Sequence, residues 1–513
     1  MQGKKHYQER LFVSFQLSDH VPQDNFYRRL KELVDFSFLY KRTSVYYGSE
    51  GQKSIDPVVF MKLMLVGYLE NINSDRRIIS TAQMRLDVLY FLGYNIDEEL
   101  PWHSTLSRTR QLYGREVFKE VFQLVLKQCI DKGMVAGRRQ AVDSVFVKAN
   151  ASLDSMVERE VLQDIADFTN ELDQNAEEVK KASVVSLPKG AHKKGLVPKT
   201  NPKNQTHYSP SDPDARMSVK PGKATALNYL GQVSVDTASH VITHVQAFEA
   251  DKRDSQCLPM VVEGVLDNLK PNGIEVEELL ADTAYSSGEA LKALEQHQIT
   301  GYIPNRGQFV AERPGFVYHS EEDYYTCPNN EKLLYKGTWE TLPGVYNKEY
   351  RISKKLCNVC PLKSECSAFK NNKNGAMIRE TVDKEYYQRM HQRMQTKRAR
   401  HLMKERSSTV EPVIGTLVNY LGMKKVNTKG LNQANKCMLL SATAYNIKKL
   451  LKQTCLFVQT KAVQTKKTFK TPLKQLFTLL TLLYGFDDCY TDACHYKKCF
   501  LVIWAKSITT FND

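Results

Sequence analysis

The chain has little of several things. Of its 513 residues only 3 are Trp, 25 are Gly and 18 are Pro, which excludes a collagen-like or low-complexity composition. Negative charge is in deficit: 57 Asp and Glu stand against 72 Lys and Arg, a net +15. A positive excess of that size points to a polyanionic partner, nucleic acid or an acidic membrane surface. Long apolar runs are also missing. Residues 476–486 form the longest one near the C-terminus and are interrupted by threonines. That run is about half of the roughly 20 residues a membrane-spanning helix needs. The first 20 residues hold no apolar signal core and no small-residue cleavage site, so a cytoplasmic protein without a membrane partner is expected. The 11 cysteines are odd in number and unevenly spaced. They argue against a disulfide framework and turn attention to local metal sites. What is present is ordinary globular composition, 42% hydrophobic and 25% charged, over a length that suits two to four domains.

Residues 1–135 read as helical. Asp56 is a good N-cap, Pro57 suits the first helical position, and apolar residues follow at helical spacing. Another helix begins near Ser104, and a third carries Val117, Val121, Val125 and Ile130 near one face. Arg76, Arg77, Arg108 and Arg110 are expected on the surface of this bundle, either as phosphate contacts or simply solvated. From residue 138 the period changes to that of a strand. Residues 155–223 read as a charged insertion, helical over 155–182 and then a basic, Pro-rich loop over 189–223. Strands resume at 226–235 and 241–248 around a hairpin signal. A helix near 257–269, a strand ending at Asp282, a helix from Ser286 and a strand at Gly301 follow. The fold class expected for 138–305 with 383–450 is therefore α/β, a mixed sheet flanked by helices. Residues 306–382 form a poorly periodic, cysteine-bearing insertion, and 451–513 an appendage.

Three carboxylates stand out. Asp143 sits among Ala141, Val142, Val145 and Val147, and Asp282 follows an apolar strand. A carboxylate at a strand end near a core is costly to desolvate unless paired, hydrogen-bonded or metal-bound. Asp also ends strands and starts turns routinely, so each has a purely structural reading. Glu411 has one too, since Ser408 and Glu411 fit capping-box spacing. If the three converge, they suit two Mg²⁺ ions roughly 4 Å apart, the arrangement that drives phosphodiester displacement.

At these residues the chain resembles the DDE transposases of bacterial insertion sequences. Ala141-Val-Asp143-Ser-Val-Phe-Val-Lys is similar to the family's first catalytic strand, and Ser211-Asp-Pro-Asp-Ala-Arg-Met to its hairpin region. Leu280-Ala-Asp282-Thr-Ala-Tyr is similar to the second block and Arg406-Ser-Ser-Thr-Val-Glu411-Pro-Val-Ile-Gly to the third. The resemblance implies an RNase H-like catalytic domain behind a helical DNA-binding domain, with Asp143, Asp282 and Glu411 as catalytic metal ligands. It implies two Mg²⁺ or Mn²⁺ ions and double-stranded DNA as partner, both element terminal inverted repeats and target. A homodimer that joins two ends and a nucleoid-associated location are expected with it. Arg406 matches the family's basic residue before the glutamate. Val418 and Met403 stand where relatives often carry a basic residue and a tyrosine that contact the DNA end. Lys424 or Lys425 is the expected substitute, and Lys397, Arg398 and Arg400 add to the same basic approach. A metal-dependent nuclease on this fold and a non-catalytic DNA-binding descendant are the rival readings.

Cys327, Cys357, Cys360 and Cys366 fall in the insertion. Cys357-Asn-Val-Cys360 is a CxxC knuckle, with Cys366 five intervening residues later. Four thiolates in a segment with little core suit a structural Zn²⁺ site; the alternative is free thiols. Cys489, Cys494, His495 and Cys499 form a weaker set without a knuckle.

Overall fold

Helix α1 (Phe26–Leu33) and helix α2 (Pro57–Leu69) show how the front of the molecule is built. The Asp56 carboxylate accepts the Val58 and Val59 N–H groups at 2.7 and 3.1 Å, and Pro57 opens the helix. That cap satisfies donors that a helix start otherwise leaves bare. α2 is apolar on nearly every side and is wrapped by its neighbours, as an all-round hydrophobic helix must be. Helices α3 (His103–Leu112) and α4 (Arg115–Asp131) pack in the same region with shorter helices over Phe38–Thr43, Asp75–Gln83 and Leu86–Leu92, and Val117, Val121 and Val125 face its core. Arg76, Arg77 and Arg108 are exposed. Arg110 departs from expectation: it is buried and holds Asp75 at 2.5 Å. A guanidinium that forks onto a carboxylate loses its charge penalty indoors.

This computed structural model describes residues 14–453, except residues 49, 52–53, 159–202, 220–223, 306–308, 310–312, 343–344 and 370–374. Most of the charged insertion therefore lies outside the described residues. So do the appendage from residue 454 onward and the set Cys489, Cys494, His495 and Cys499. Among the described residues no helix is long and apolar enough to cross a membrane.

The central sheet is built from β1 (Arg139–Lys148), β2 (Ala226–Asp236), β3 (Ile242–Glu249), β4 (Glu278–Leu280) and β5 (Thr300–Tyr302). Their order across the sheet is β3-β2-β1-β4-β5, with a short strand, Arg216–Ser218, continuing the β3 edge of β2. β1, β2 and β3 are antiparallel; β4 and β5 run parallel to β1. That order and those directions are the RNase H-like topology that the motifs implied. Asp236 closes the β2–β3 hairpin by accepting the Ala238 N–H at 3.0 Å, and its other oxygen takes the Gly137 N–H at 2.7 Å. The parallel strands need crossovers, and helices α5 (Asp254–Leu269) and α6 (Gly288–Gln296) supply them. Helix α7 (Lys384–Met394), helix α8 (Lys397–Tyr420) and a last helix over residues 431–453, α9, return after the insertion.

The insertion is not irregular. It holds an antiparallel sheet of β6 (Val317–His319), β7 (Tyr324–Thr326), β8 (Lys332–Leu342), β9 (Val345–Arg351) and β10 (Met377–Thr381). Its strands are short or bulged, so no sustained period of two marked them. The core is divided accordingly. One apolar cluster joins Phe60 and Leu63 of the front helices, Val142 and Val233 of the sheet, and Met438 of α9. A second, much smaller one belongs to the insertion alone.

One contact decides how closely α5 lies on the sheet. A Cβ on Gly264 of α5 would stand 2.2 Å from His244 Cε1 of β3. His244 is buried and held by Gln246 at 3.3 Å, and burial lowers its pKa to about 4, so it is neutral. Gly→Ala inside a helix ordinarily gains about 1 kcal/mol. Here forcing a methyl against a fixed ring costs about 1–3 kcal/mol. Gly264→Ala is therefore expected to destabilise the fold by about 1 kcal/mol, read from urea unfolding; a more stable variant would show that α5 stands off freely.

Candidate active site

β1 runs through the middle of the sheet, so Asp143 is placed by backbone pairing on both sides. It faces Val233 of β2 across the antiparallel ladder. On the other side Ala141 pairs with Leu280 of β4 in parallel register. Extending that register by two residues sets Asp282 beside Asp143 and on the same face, because side chains alternate with a period of two. Asp282 keeps extended backbone and then caps the short helical turn Thr283–Tyr285, its Oδ1 accepting the Ala284 N–H at 2.9 Å. Among the described residues its Oδ2 has no hydrogen-bond donor. Turn capping thus occupies one oxygen of the carboxylate and leaves the other open.

Asp143 is partly buried. The Ser144 N–H donates to its Oδ1 at 2.8 Å, and Arg406 Nη1 of α8 stands 3.2 Å from its Oδ2. Desolvation is the largest influence on this carboxyl and raises its pKa. The Ser144 N–H and Arg406 oppose that rise, and the charge of Asp282 adds to it. Two like charges held side by side favour a cation between them. Arg406 is itself buried, and its Nε and Nη1 have no hydrogen-bond partner. It supplies charge to Asp143 and makes few bonds of its own.

Glu411 is placed differently. α8 is one continuous helix from Lys397 to Tyr420, capped at Thr396, so Ser408 and Glu411 lie mid-helix and no capping box forms there. Arg406, Val410, Val413 and Leu417 mark its buried face. Glu411 follows Arg406 by five residues, about 140° around the axis, and is exposed. It borders a shallow depression with Met403, Lys404, Ser407, Ser408 and Pro412. No hydrogen bond or ion pair among the described residues joins Glu411 to either aspartate. The fold brings Asp143, Asp282 and Arg406 together, and Glu411 lies five residues further along the same helix on its exposed side.

The other basic candidates divide in two. Lys397, Arg400, Lys424 and Lys425 are exposed. Lys424 and Lys425 are fixed beside the end of β1, where the Lys148 N–H donates to the Lys424 carbonyl at 3.2 Å. Arg398 is tied to Glu278, whose other oxygen takes Arg139 at 2.7 Å; Arg139 also reaches Glu405. That network clamps the start of α8 to β1 and β4.

Near the aspartates Tyr285, the last residue of the second block, joins two residues that carry no motif, Gln232 and Asp254. Tyr285 is fully buried and donates to Gln232 Oε1, and Gln232 Nε2 donates to Asp254 Oδ1 at 2.7 Å. Burial raises the Tyr285 pKa far above its usual value, with Asp254, Asp143 and Asp282 adding to the rise. The hydroxyl stays protonated and remains a donor. Nothing in the sequence singles out Asp254; its neighbourhood is a product of chain crossing. The hairpin acids have another duty. Asp212 accepts the Tyr229 hydroxyl at 2.5 Å and the Gly430 N–H at 2.9 Å, and Asp214 accepts the Leu431 N–H at 2.8 Å. They anchor the start of α9.

The four insertion cysteines do meet. Cys327, Cys357, Cys360 and Cys366 line one cavity of about 180 Å³. Among the described residues, however, no three His, Cys, Asp or Glu side chains already stand at metal-ligand spacing.

Comparison with known proteins agrees with the motifs. Residues 15–112 match a family described as "Transposase domain (DUF772)" and residues 326–451 one described as "Transposase DDE domain". Arg406 and Glu411 fall within the second stretch; Asp143 and Asp282 lie between the two. The resemblance to transposases expected from the sequence is borne out. No curated protein matches the chain. Among solved structures, the Mos1 transposase paired-end complex is similar at 10% identity and TM-score 0.16, over 52% of this chain and 64% of that one. A piggyBac transposase synaptic complex with hairpin DNA is similar at 9% identity and TM-score 0.25, over 84% and 77%. The strand order, and not these low scores, carries the fold assignment.

Gln232→Leu tests the buried network. It leaves the Tyr285 hydroxyl stranded, which costs about 1–3 kcal/mol. Loss of that size in denaturant unfolding is expected, and a neutral effect would show the network to be incidental.

Proposed function

We propose that the chain is a DNA transposase that cuts and joins strands at the ends of a mobile element, using Asp143 and Asp282 as its primary metal ligands. The observation that carries this reading is the side-by-side placement of the two aspartates by the β1–β4 register, in a chain whose flanking stretches match transposase domains. Hard carboxylate oxygens with one Asp282 oxygen unused suit Mg²⁺ or Mn²⁺. A bound pair of such ions would activate the attacking hydroxyl and stabilise the leaving oxygen of an in-line phosphodiester displacement.

The chain's own residues do the positioning. The Ser144 N–H and Arg406 orient Asp143 and oppose the desolvation that raises its pKa. The Thr283–Tyr285 turn holds Asp282 rigid at its strand end. The exposed Lys397, Arg400, Lys424 and Lys425 would take phosphates on either side, giving affinity that falls with salt. Arg398 and Arg406, tied to carboxylates, serve the scaffold first. Residues 1–135 would recognise the terminal repeats, with a second copy of the chain holding the other end. Water attacks in the cleavage step, and the freed 3′-hydroxyl attacks target DNA in the joining step.

Glu411 is the proposed third ligand on the strength of its motif. It lies on the exposed side of α8, five residues beyond Arg406. Pro412 removes the N–H that would bond the Ser408 carbonyl, and so loosens the helix at that point. A DNA-binding protein without chemistry is the second reading.

Cleavage and strand transfer on end-labelled element DNA with Mg²⁺ decide between them. Asp143→Asn and Asp282→Asn are expected to keep DNA binding and lower cleavage at least about 1000-fold, roughly 4 kcal/mol of barrier. Binding by the unaltered chain with no cleavage selects the second reading, and cleavage without joining selects a nuclease. Glu411→Gln is a separate test: full cleavage in that variant removes Glu411 from the site and leaves the aspartates in place.

The phosphate contacts have their own signature. Lys424→Ala and Lys425→Ala should each weaken binding at all sequences alike and reduce the slope of log K against log salt by about 1. An unchanged slope would remove them from the interface.

A further inference from the structure

The sheet of the insertion has one covered face, and very little covers it. Its core is Tyr325, Leu333, Tyr350, Ile352, Cys357, Ala376 and Ile378. A cluster that small falls short of what an autonomous fold of this length needs from apolar burial alone. The four cysteines gather at one end of it, from three separate pieces of chain. Cys327 follows β7 directly, in a tight turn where its N–H donates to the Glu331 carbonyl at 2.9 Å. Cys357 lies in a helical turn, Lys354–Asn358, and the Cys360 N–H returns to its carbonyl at 3.4 Å. Cys366 comes from the next turn.

The charge of this cavity opposes that of the chain. Besides the four thiols it is lined by Glu331 and Glu365, and by no lysine or arginine. In a protein with an excess of 15 positive charges, a cavity whose lining holds potential anions and no basic residue suits a cation. The Ala376 N–H donates to Cys357 Sγ at 3.3 Å, the kind of outer bond that orients a thiolate ligand. Nothing in the fold pairs the sulfurs otherwise: all four thiols are free. Soft thiolate donors select Zn²⁺ over Mg²⁺ or Mn²⁺.

We propose that Cys327, Cys357, Cys360 and Cys366 bind one structural Zn²⁺ that closes the open end of the insertion sheet, independently of the carboxylate site. The sulfurs share the cavity without standing at ligand spacing, so binding draws the Cys327 turn and the 357–366 segment together. The ion replaces up to four thiol protons, released to solvent, and forms four Zn–S bonds of about 2.3 Å. No oxidant or reductant is involved.

The full chain, purified without chelator, is analysed for metal by mass spectrometry. About one zinc per chain is expected, with sulfur-only coordination at about 2.3 Å in X-ray absorption. Cys360→Ser/Cys366→Ser should lose the zinc, and Cys257→Ser, buried in the main core, should retain it. Because the double variant can misfold, the unaltered protein is also treated with a zinc chelator. Proteolysis within residues 326–380 should then speed up at least about tenfold, while residues 57–131 stay protected. The proposal is overturned by absence of zinc, by disulfides among the four cysteines in peptide mapping, by zinc that survives in the double variant, or by chelation that leaves the proteolysis rate unchanged.

Discussion

The parallel pairing of β1 with β4 is the constraint on which the candidate site depends. Three rungs, Arg139 to Ala141 against Glu278 to Leu280, set two distant aspartates in one row. A slip of one residue would turn Asp282 to the other face of the sheet. The clamp at the base of those strands resists such a slip: Glu278 of β4 holds Arg139 of β1 and Arg398 of α8 at once. The helix that delivers Arg406 to Asp143 is thereby referenced to the same two strands that carry the aspartates.

Charge explains much of the remaining architecture. A buried carboxylate needs a partner, and the fold answers with Arg406 for Asp143, Arg110 for Asp75, and backbone N–H groups for Asp212 and Asp236. Arginines such as Arg110 and Arg406 are held in such pairs. Each such pair uses one acid and one base, so the net +15 is untouched, and among the described candidates Lys397, Arg400, Lys424 and Lys425 are exposed. The insertion follows another economy. Its core is too small to stand alone, and its cysteines lie where more apolar side chains would otherwise be needed.

Much of the fold was legible in the sequence for a physical reason. Strands β1, β2 and β3 and helix α2 announce themselves because each buries a face or a whole circumference, and burial imposes a period. Asp56 before Pro57 was readable because capping is local chemistry. The five strands of the insertion were not legible: they are short, bulged and half exposed, so no period survives. Arg110 was misplaced because a surface arginine and one folded onto Asp75 have the same local sequence. The Tyr285–Gln232–Asp254 chain was missed because its members come from three elements brought together only by the crossovers.

The sequence by itself determined the residue types, the order of the motifs, the topology those motifs implied and the excess of positive charge. These follow from local propensity, periodicity and composition, which need no distant contact. The tertiary structure decided which carboxylates meet. It set Asp143 beside Asp282 through strand register, buried Arg406 against Asp143 and turned Glu411 to the outer face of α8. It also gathered four cysteines into a cavity free of basic side chains. The meeting of Asp143 with Asp282 and Arg406 depends on how segments more than a hundred residues apart align, and no local rule specifies that alignment.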